Sequence, residues 1–169
     1  MSRPSPAEYA PYFEKYISLV PEGEIAVTLG NQIESTLNLI RSLSEAQGDL
    51  RYAPDKWSVK EVIGHLIDAE RIFAYRALRF ARNDATPLSG FDENSYVDNA
   101  GFSSRSLSDL TEEFEYTRKS NVYLFKHLDG DSWLRRGAAN NNETSVGALA
   151  YIIGGHELHH VGILRSRYL

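Results

Sequence analysis

The chain has no cysteine, one methionine and two tryptophans in 169 residues. Without cysteine it forms no disulfide, offers no thiolate to a metal and performs no thiol redox chemistry of its own, so any metal must be held by His, Asp or Glu. A reducing compartment suits this composition. Concentrated positive charge is also missing: the net charge is -5, and no basic block is longer than Arg135-Arg136. Binding to nucleic acid or to an anionic membrane surface is therefore not expected. The longest apolar run, around Ala148 to Ile153, falls far short of the roughly 20 residues of a membrane-spanning helix. The first six residues carry no apolar signal core, and the expected location is the cytoplasm. No Gly-rich phosphate loop and no serine nucleophile elbow is present.

What remains is ordinary globular composition, 42% hydrophobic and 24% charged, with no repeat and no shift marking a second domain. One domain over residues 1–169 with a single sizeable core is the simplest reading. Four long segments carry helical periodicity and no period-two alternation competes with them, so strands are not needed. The first runs from about Glu24 to Ser44, with Ile25, Leu29, Ile33, Leu37, Ile40 and Leu43 at three- and four-residue steps. Ala7 to Leu19 is expected as a shorter helix across one end. Ser58-Val59-Lys60-Glu61 is a capping box that opens the second helix, which continues to about Ala81, with Trp57 stapling onto Val62. The third fits Leu107 to Leu128 behind Ser106, and the fourth fits Ser145 to Tyr168 behind Thr144. The class is all-α, a four-helix bundle with a short extra N-terminal helix. Two connections are long. Arg82 to Arg105, about 24 residues, exceeds the usual helix linker of about 2–8 and suggests a cover over a site. Asp131 to Glu143 contains Trp133 and a polar turn at Asn140-Asn141-Asn142.

Three of the five histidines crowd into His156-Glu157-Leu158-His159-His160. On a helix advancing about 100° per residue, His160 lies about 40° from His156 and His159 about 60° to the other side. His156 and His160 share the apolar stripe of Leu149, Ile153 and Leu164, and can direct ring nitrogens at one ion. His65 occupies a matching core-facing position on the second helix, so convergence would give three imidazoles with positions left for water or substrate. The competing reading of His65 is a hydrogen-bonded core residue. His159 is read as an outer partner or a helix-end residue, and His127 as a complement to its helix dipole. The literal H-E-x-x-H match invokes Glu157 as a general base. Only nine residues follow His160, none of them His, Asp or Glu, so Glu157 is as readily an interhelical ion-pair partner. Asp68, Glu70 and Arg71 are candidates to orient His65 or to form ion pairs. Arg76, Arg79 and Arg82 could meet an acidic substrate or form a charged helix face. Asp92, Asn94 and Tyr96 are candidate lid or pocket groups.

Two motifs carry a family resemblance. One runs from Tyr52-Ala53-Pro54-Asp55-Lys56-Trp57-Ser58 through Gly64-His65-Leu66-Ile67-Asp68-Ala69-Glu70-Arg71; the other is Tyr151-Ile152-Ile153-Gly154-Gly155-His156-Glu157-Leu158-His159-His160 with its tail to Leu169. With Pro87-Leu88-Ser89-Gly90-Phe91-Asp92-Glu93-Asn94 between them, the chain from about Glu24 to Leu169 resembles the DinB-like, or YfiT-like, superfamily of small metal-binding four-helix proteins. The resemblance implies an up-down-down-up bundle, a homodimer, and a divalent metal on His65, His156 and His160. Nickel or zinc comes first and manganese or iron next, since imidazole ligands do not choose among them. It further implies a metal-dependent enzyme such as a low-molecular-weight-thiol S-transferase with a small thiol co-substrate. A hydrolase using water, and a non-catalytic stress-response bundle with a closed site, are the alternatives.

Overall fold

The computed structural model describes residues 2–84 and 86–169; Met1 and Ala85, which fall in the N-terminal stretch and the long connection, lie outside them. Its elements are α1 (Glu14–Ile17), α2 (Ile25–Arg41), α3 (Glu45–Gly48), α4 (Val59–Ala81), α5 (Glu93–Ala100), α6 (Leu107–Lys126), α7 (Gly130–Leu134) and α8 (Val146–Ile163), with strands β1 (Arg136–Ala139) and β2 (Asn142–Ser145) before α8.

The helix starts follow side-chain caps. Ser58 N donates to Glu61 Oε2 at 2.6 Å and Glu61 N to Ser58 Oγ at 3.2 Å, the reciprocal pair that begins α4 at Val59. Ser106 caps α6 by accepting from Asp109 N. The cap of α8 is Ser145, which accepts from Ala148 N at 3.0 Å, and not Thr144 as the sequence suggests. Thr144 is held in β2 opposite Gly137. α2 stops at Arg41, short of Ser44, because Ser44 and Gln47 form a capping box of their own for α3. α6 ends at Lys126 and α8 at Ile163, where the chain continues as a π-helical turn, Leu164–Tyr168.

Three further expectations need correction. Strands do occur: β1 and β2 pair antiparallel in the register Ala139↔Asn142, leaving a two-residue loop. Asn140 and Asn141 have φ of 50° and 60°, the left-handed pair that a tight hairpin turn requires and that asparagine tolerates. Strands of four residues are too short to show an alternation. The Arg82–Arg105 connection is not plain loop, since it holds α5, capped by Asp92 and ended by Gly101 at φ 66°. Short polar helices of this kind carry little apolar periodicity. The N-terminal helix is broken into 3-10 turns at Pro6–Glu8 and Pro11–Phe13 followed by α1, because each proline forces the residue before it into extended backbone.

Packing makes a four-helix bundle from α2, α4, α6 and α8. α4 lies against α6 and α8, and α2 lies against the same two. Directions follow from which residues meet. Gly154 and Glu157 meet Leu29 and Gln32 in ascending order, so α8 runs with α2. Lys60 lies beside Leu107 while Glu70 meets Arg118 and Asn121, so α4 and α6 run together. Arg41 reaches Glu115, whereas Leu29 meets Arg118, so α2 opposes α6. The arrangement is up-down-down-up, and parallel α4 and α6 need the long crossover that holds α5. Among the described residues no helix is long and apolar enough to cross a membrane.

One core cluster joins the N-terminal segment, the end of α4 and the start of α8; the other joins α2, the start of α4 and α6. Between them lies a charge. Arg118 is fully buried, and its Nε and Nη2 donate to the two oxygens of Glu70, each at 2.8 Å, while Nη1 donates to Glu157 Oε2 at 2.6 Å. Gln32 donates to the same Glu157 oxygen and to Gly154 O. This network links all four bundle helices. The outer contact of α8 is equally tight: a Cβ at Gly155 would sit 2.0 Å from the Tyr16 carbonyl oxygen.

Breaking a buried ion pair by removing one partner costs about 3–5 kcal/mol because the remaining charge is stranded. Arg118→Met is expected to destabilise by that amount in urea unfolding, whereas Arg41→Ala, which loses only a half-exposed pair with Glu115, should cost less than about 1 kcal/mol. Gly155→Ala should cost at least the roughly 1–3 kcal/mol of an overpacked site, since backbone must move. Gly162→Ala, with nothing within 4 Å, should instead stabilise α8 by about 0.5–1 kcal/mol. Equal midpoints for the two glycine variants would contradict this packing.

Candidate metal centre

His65 lies one turn after Glu61, so the capping box fixes its register on α4. His156 and His160 lie one turn apart on α8. The antiparallel contact of these two helices brings the three rings together at one end of the bundle. His65 Nε2 is 3.0 Å from His156 Nε2, and His160 Nε2 is 3.1 Å from the same atom. One nitrogen from each of the three lies within 4.8 Å of the others, and this trio is the one group among the described residues with such ligand spacing. A single imidazole nitrogen carries either one proton or one lone pair, so His156 Nε2 cannot make good hydrogen bonds to both neighbours. A shared cation satisfies all three lone pairs at once. Metal–nitrogen bonds of about 2.1 Å bring neighbouring ligand nitrogens to within about 3.0–3.4 Å, which fits the two short separations.

Burial sets the electrostatics. His65 and His156 are 6% and 7% exposed, and desolvation holds the His65 pKa down to about 4. Desolvation, followed by the neighbouring His65, lowers His160 to about 3. His156 is pushed well below the ordinary value by the same desolvation, then by His160 and His65. All three rings are therefore neutral at physiological pH, the form that ligates a metal.

The trio opens on a cavity of about 500 Å³. Its wall is aromatic: the Trp57 ring lies 4.7 Å from His65, and Tyr16 and Phe73 meet His156 edge-on at 5.2 and 6.1 Å. Phe91 packs on Phe73 at 6.5 Å and on Tyr96 at 5.3 Å. Tyr16 and Phe13, from the N-terminal segment, and Asn140 and Thr144, from the hairpin, also line it. Sequence reasoning read the connection that carries Phe91 and Tyr96 as a cover but assigned Trp57, Phe73, Phe13, Tyr16 and the hairpin residues to no site, although the spacing of Tyr12, Phe13 and Tyr16 already places aromatics on one face.

Other candidates are sorted by their partners. His159 lines the cavity, edge-on to Tyr16 at 5.2 Å, and is outside the trio. Glu157 does not line it; its carboxylate turns inward to Arg118 and Gln32, so the ion-pair alternative describes it. Glu70 binds Arg118, and Asp68 lies 3.9 Å from Arg71, so neither orients His65. Arg79 pairs with Asp84, while Arg76 lines the cavity. His127 Nδ1 meets Tyr123 O at 2.8 Å at the end of α6, consistent with a helix-end role. Asp92 is the cap of α5. Asn94 and Trp57 border a smaller groove beyond His160.

In overall structure the chain is similar to YfiT from Bacillus subtilis, described as a probable metal-dependent hydrolase with an unusual four-helix bundle topology. The TM-score is 0.71 at 14% identity, over 96% of this chain and 91% of that one. No curated protein matches it in sequence. A sequence model of the DinB superfamily matches residues 29–164, a span from α2 to the last turn of α8 that includes all three converging histidines. The chain belongs to the DinB superfamily.

Proposed function

We propose that His65, His156 and His160 hold a divalent metal ion and that the cavity beside them is the reaction site of a metal-dependent enzyme. The observation that carries this reading is the meeting of three neutral imidazoles, two buried and one half-buried, at the wall of an open cavity. A bound ion would supply Lewis acidity, lowering the pKa of the nucleophile that it holds. The chain contributes three ligands and no fourth in that group, leaving room on the cavity side. A non-catalytic bundle would call for a closed site, and the open cavity beside the trio supports the enzyme reading over it. Nickel or zinc suits three imidazoles, and manganese or iron is also compatible.

Two reactions use such a centre. Transfer of a small thiol to an electrophile is favoured by the position of Glu157, since the carboxylate that could take a proton from water is turned away into the bundle. A thiol, with a pKa near 8.5, needs little beyond the cation to ionise. Hydrolysis is supported by His159, which lines the cavity as a proton acceptor and whose pKa is lowered by desolvation and then by Lys15. In either reaction the aromatic wall limits water and positions the electrophile.

His160→Ala is expected to reduce divalent-metal affinity by more than about 100-fold, beyond the 10–100-fold that loss of an outer partner costs. His159→Ala should keep full stoichiometry. Metal content and calorimetric titration measure both, and undiminished binding in His160→Ala would overturn the assignment. Turnover that needs a thiol, in assays of the metal-loaded protein with cellular thiols and a generic electrophile, identifies transfer. Turnover of activated esters without thiol identifies hydrolysis.

The depressed imidazole pKa values also fix a sign. The unfolded chain binds protons near pH 6.5 that the folded metal-free protein refuses until about pH 4 at His65 and about 3 at His160. Their contribution is complete above pH 6.5 and is lost as pH falls toward those folded values. Each imidazole then removes about 1.4 kcal/mol per pH unit. The urea midpoint of the metal-free protein should fall steadily from pH 6.5 to 5, above the range where carboxylates titrate; a flat midpoint there would contradict neutral burial.

A further inference from the structure

Arg76 is 6% exposed and lines the same cavity as the histidines. Its hydrogen bond goes to a neutral acceptor, Ser89 O, at 2.9 Å. Among the described residues no carboxylate pairs with it, in contrast to Arg79 with Asp84 and Arg118 with Glu70 and Glu157. Burial alone depresses its pKa, with no neighbouring charge contributing. The one carboxylate in the lining, Glu93, is exposed and forms no ion pair with Arg76. A guanidinium removed from water without a counter-charge is costly to keep, and the fold keeps this one between two rings. Its centre lies 5.7 Å from the Phe73 ring and 5.9 Å from the Phe91 ring, faces that partly compensate a desolvated cation. Phe73 in turn meets His156. Phe73 thus touches both the cation and one of the imidazoles.

We propose that Arg76 is the anion-binding point of this cavity, taking the carboxylate of a small substrate whose apolar body lies across Phe73 and whose reacting group faces His65, His156 and His160. The guanidinium fork matches a carboxylate in two parallel hydrogen bonds, which fixes orientation as well as position. A cavity of about 500 Å³ suits a small organic acid with an aromatic or branched aliphatic body. The substrate orientation rests on the reading of the cavity as the reaction site; the anion site itself does not.

The test uses metal-free protein, so that no ion can hold the carboxylate, and compares phenylacetate with its uncharged analogue phenylacetamide by calorimetry and NMR. Phenylacetate should bind wild-type protein at least tenfold more tightly and should shift the Arg76 Nε–H resonance, which phenylacetamide leaves in place. Arg76→Gln should remove the preference, and Arg76→Lys should keep part of it. Equal affinity for the two probes, no binding of phenylacetate at millimolar concentration, an unmoved Arg76 resonance or a preference that survives in Arg76→Gln would each overturn the proposal. Should Arg76→Gln fail to fold, the resonance and the two-probe comparison on wild-type protein decide. Metal binding by the histidines is measured separately, so the two readings fail independently.

Discussion

The bundle is organised around one cation without access to water. Arg118 of α6 holds Glu70 of α4 through two parallel hydrogen bonds and Glu157 of α8 through a third, with Leu29 O of α2 at 3.3 Å. Apolar contacts along helices tolerate small rotations and slides, because dispersion is non-directional. A bidentate guanidinium does not. Glu157 adjoins His156 in sequence, about 100° further around α8. Turning Glu157 inward toward Arg118 therefore sets the rotation of α8 about its axis. With that rotation fixed, His156 and His160 face α4 and the cavity, while His159 reaches the cavity only at its Tyr16 side, outside the trio. The ion pair buried inside the bundle and the histidine trio at its end are two consequences of one helix orientation.

The same dependence explains why part of the site is legible in the sequence and part is not. Histidines at i and i+4 report a shared helix face directly, and a capping box at Ser58 and Glu61 fixes the register of His65. Local rules thus reach the trio, and the bundle with it. They cannot place Glu157, since whether it faces the cavity or Arg118 depends on a residue 39 positions away. Neither can they find the aromatic wall. Tyr16, Phe73, Phe91 and Trp57 come from four separate segments that only the folded chain brings together. Expected helix ends miss where a second local signal competes, as when Ser44 opens α3 instead of closing α2, and strand pairing is hidden in elements four residues long.

The hairpin and α5 show how a bundle acquires a walled cavity. Four helices alone would leave the histidine end open to solvent. Parallel α4 and α6 demand a crossover, and the chain uses it to carry Phe91 onto Phe73, with Tyr96 packed behind Phe91. The segment is anchored where Leu88 N donates to Ala138 O and Asn140 N to Leu88 O, so the crossover is tied to the hairpin that also caps the entry to α8. Opposite it, α1 seats Tyr16 against Gly155, where only a glycine allows the backbones to touch. The absence of a side chain at Gly155 is thus what brings the Tyr16 ring up to His156.

Charge placement around the trio follows a consistent order. Arg118 is enclosed by two carboxylate side chains, Glu70 and Glu157, and Glu157 Oε1 has no hydrogen-bond partner. Glu157 adjoins His156 on α8, so this cluster lies inside the bundle next to the helix turn that carries His156 and His160. Arg76, by contrast, lies against the Phe73 ring and lines the cavity, with no carboxylate pairing with it among the described residues. The two buried guanidinium groups thus differ in what they are left with: Arg118 is enclosed by carboxylates and fixes the orientation of α8, whereas Arg76 has only Ser89 O and two aromatic faces beside it. An anion entering the cavity would meet that unpaired cation, while Arg118 is already neutralised inside the bundle.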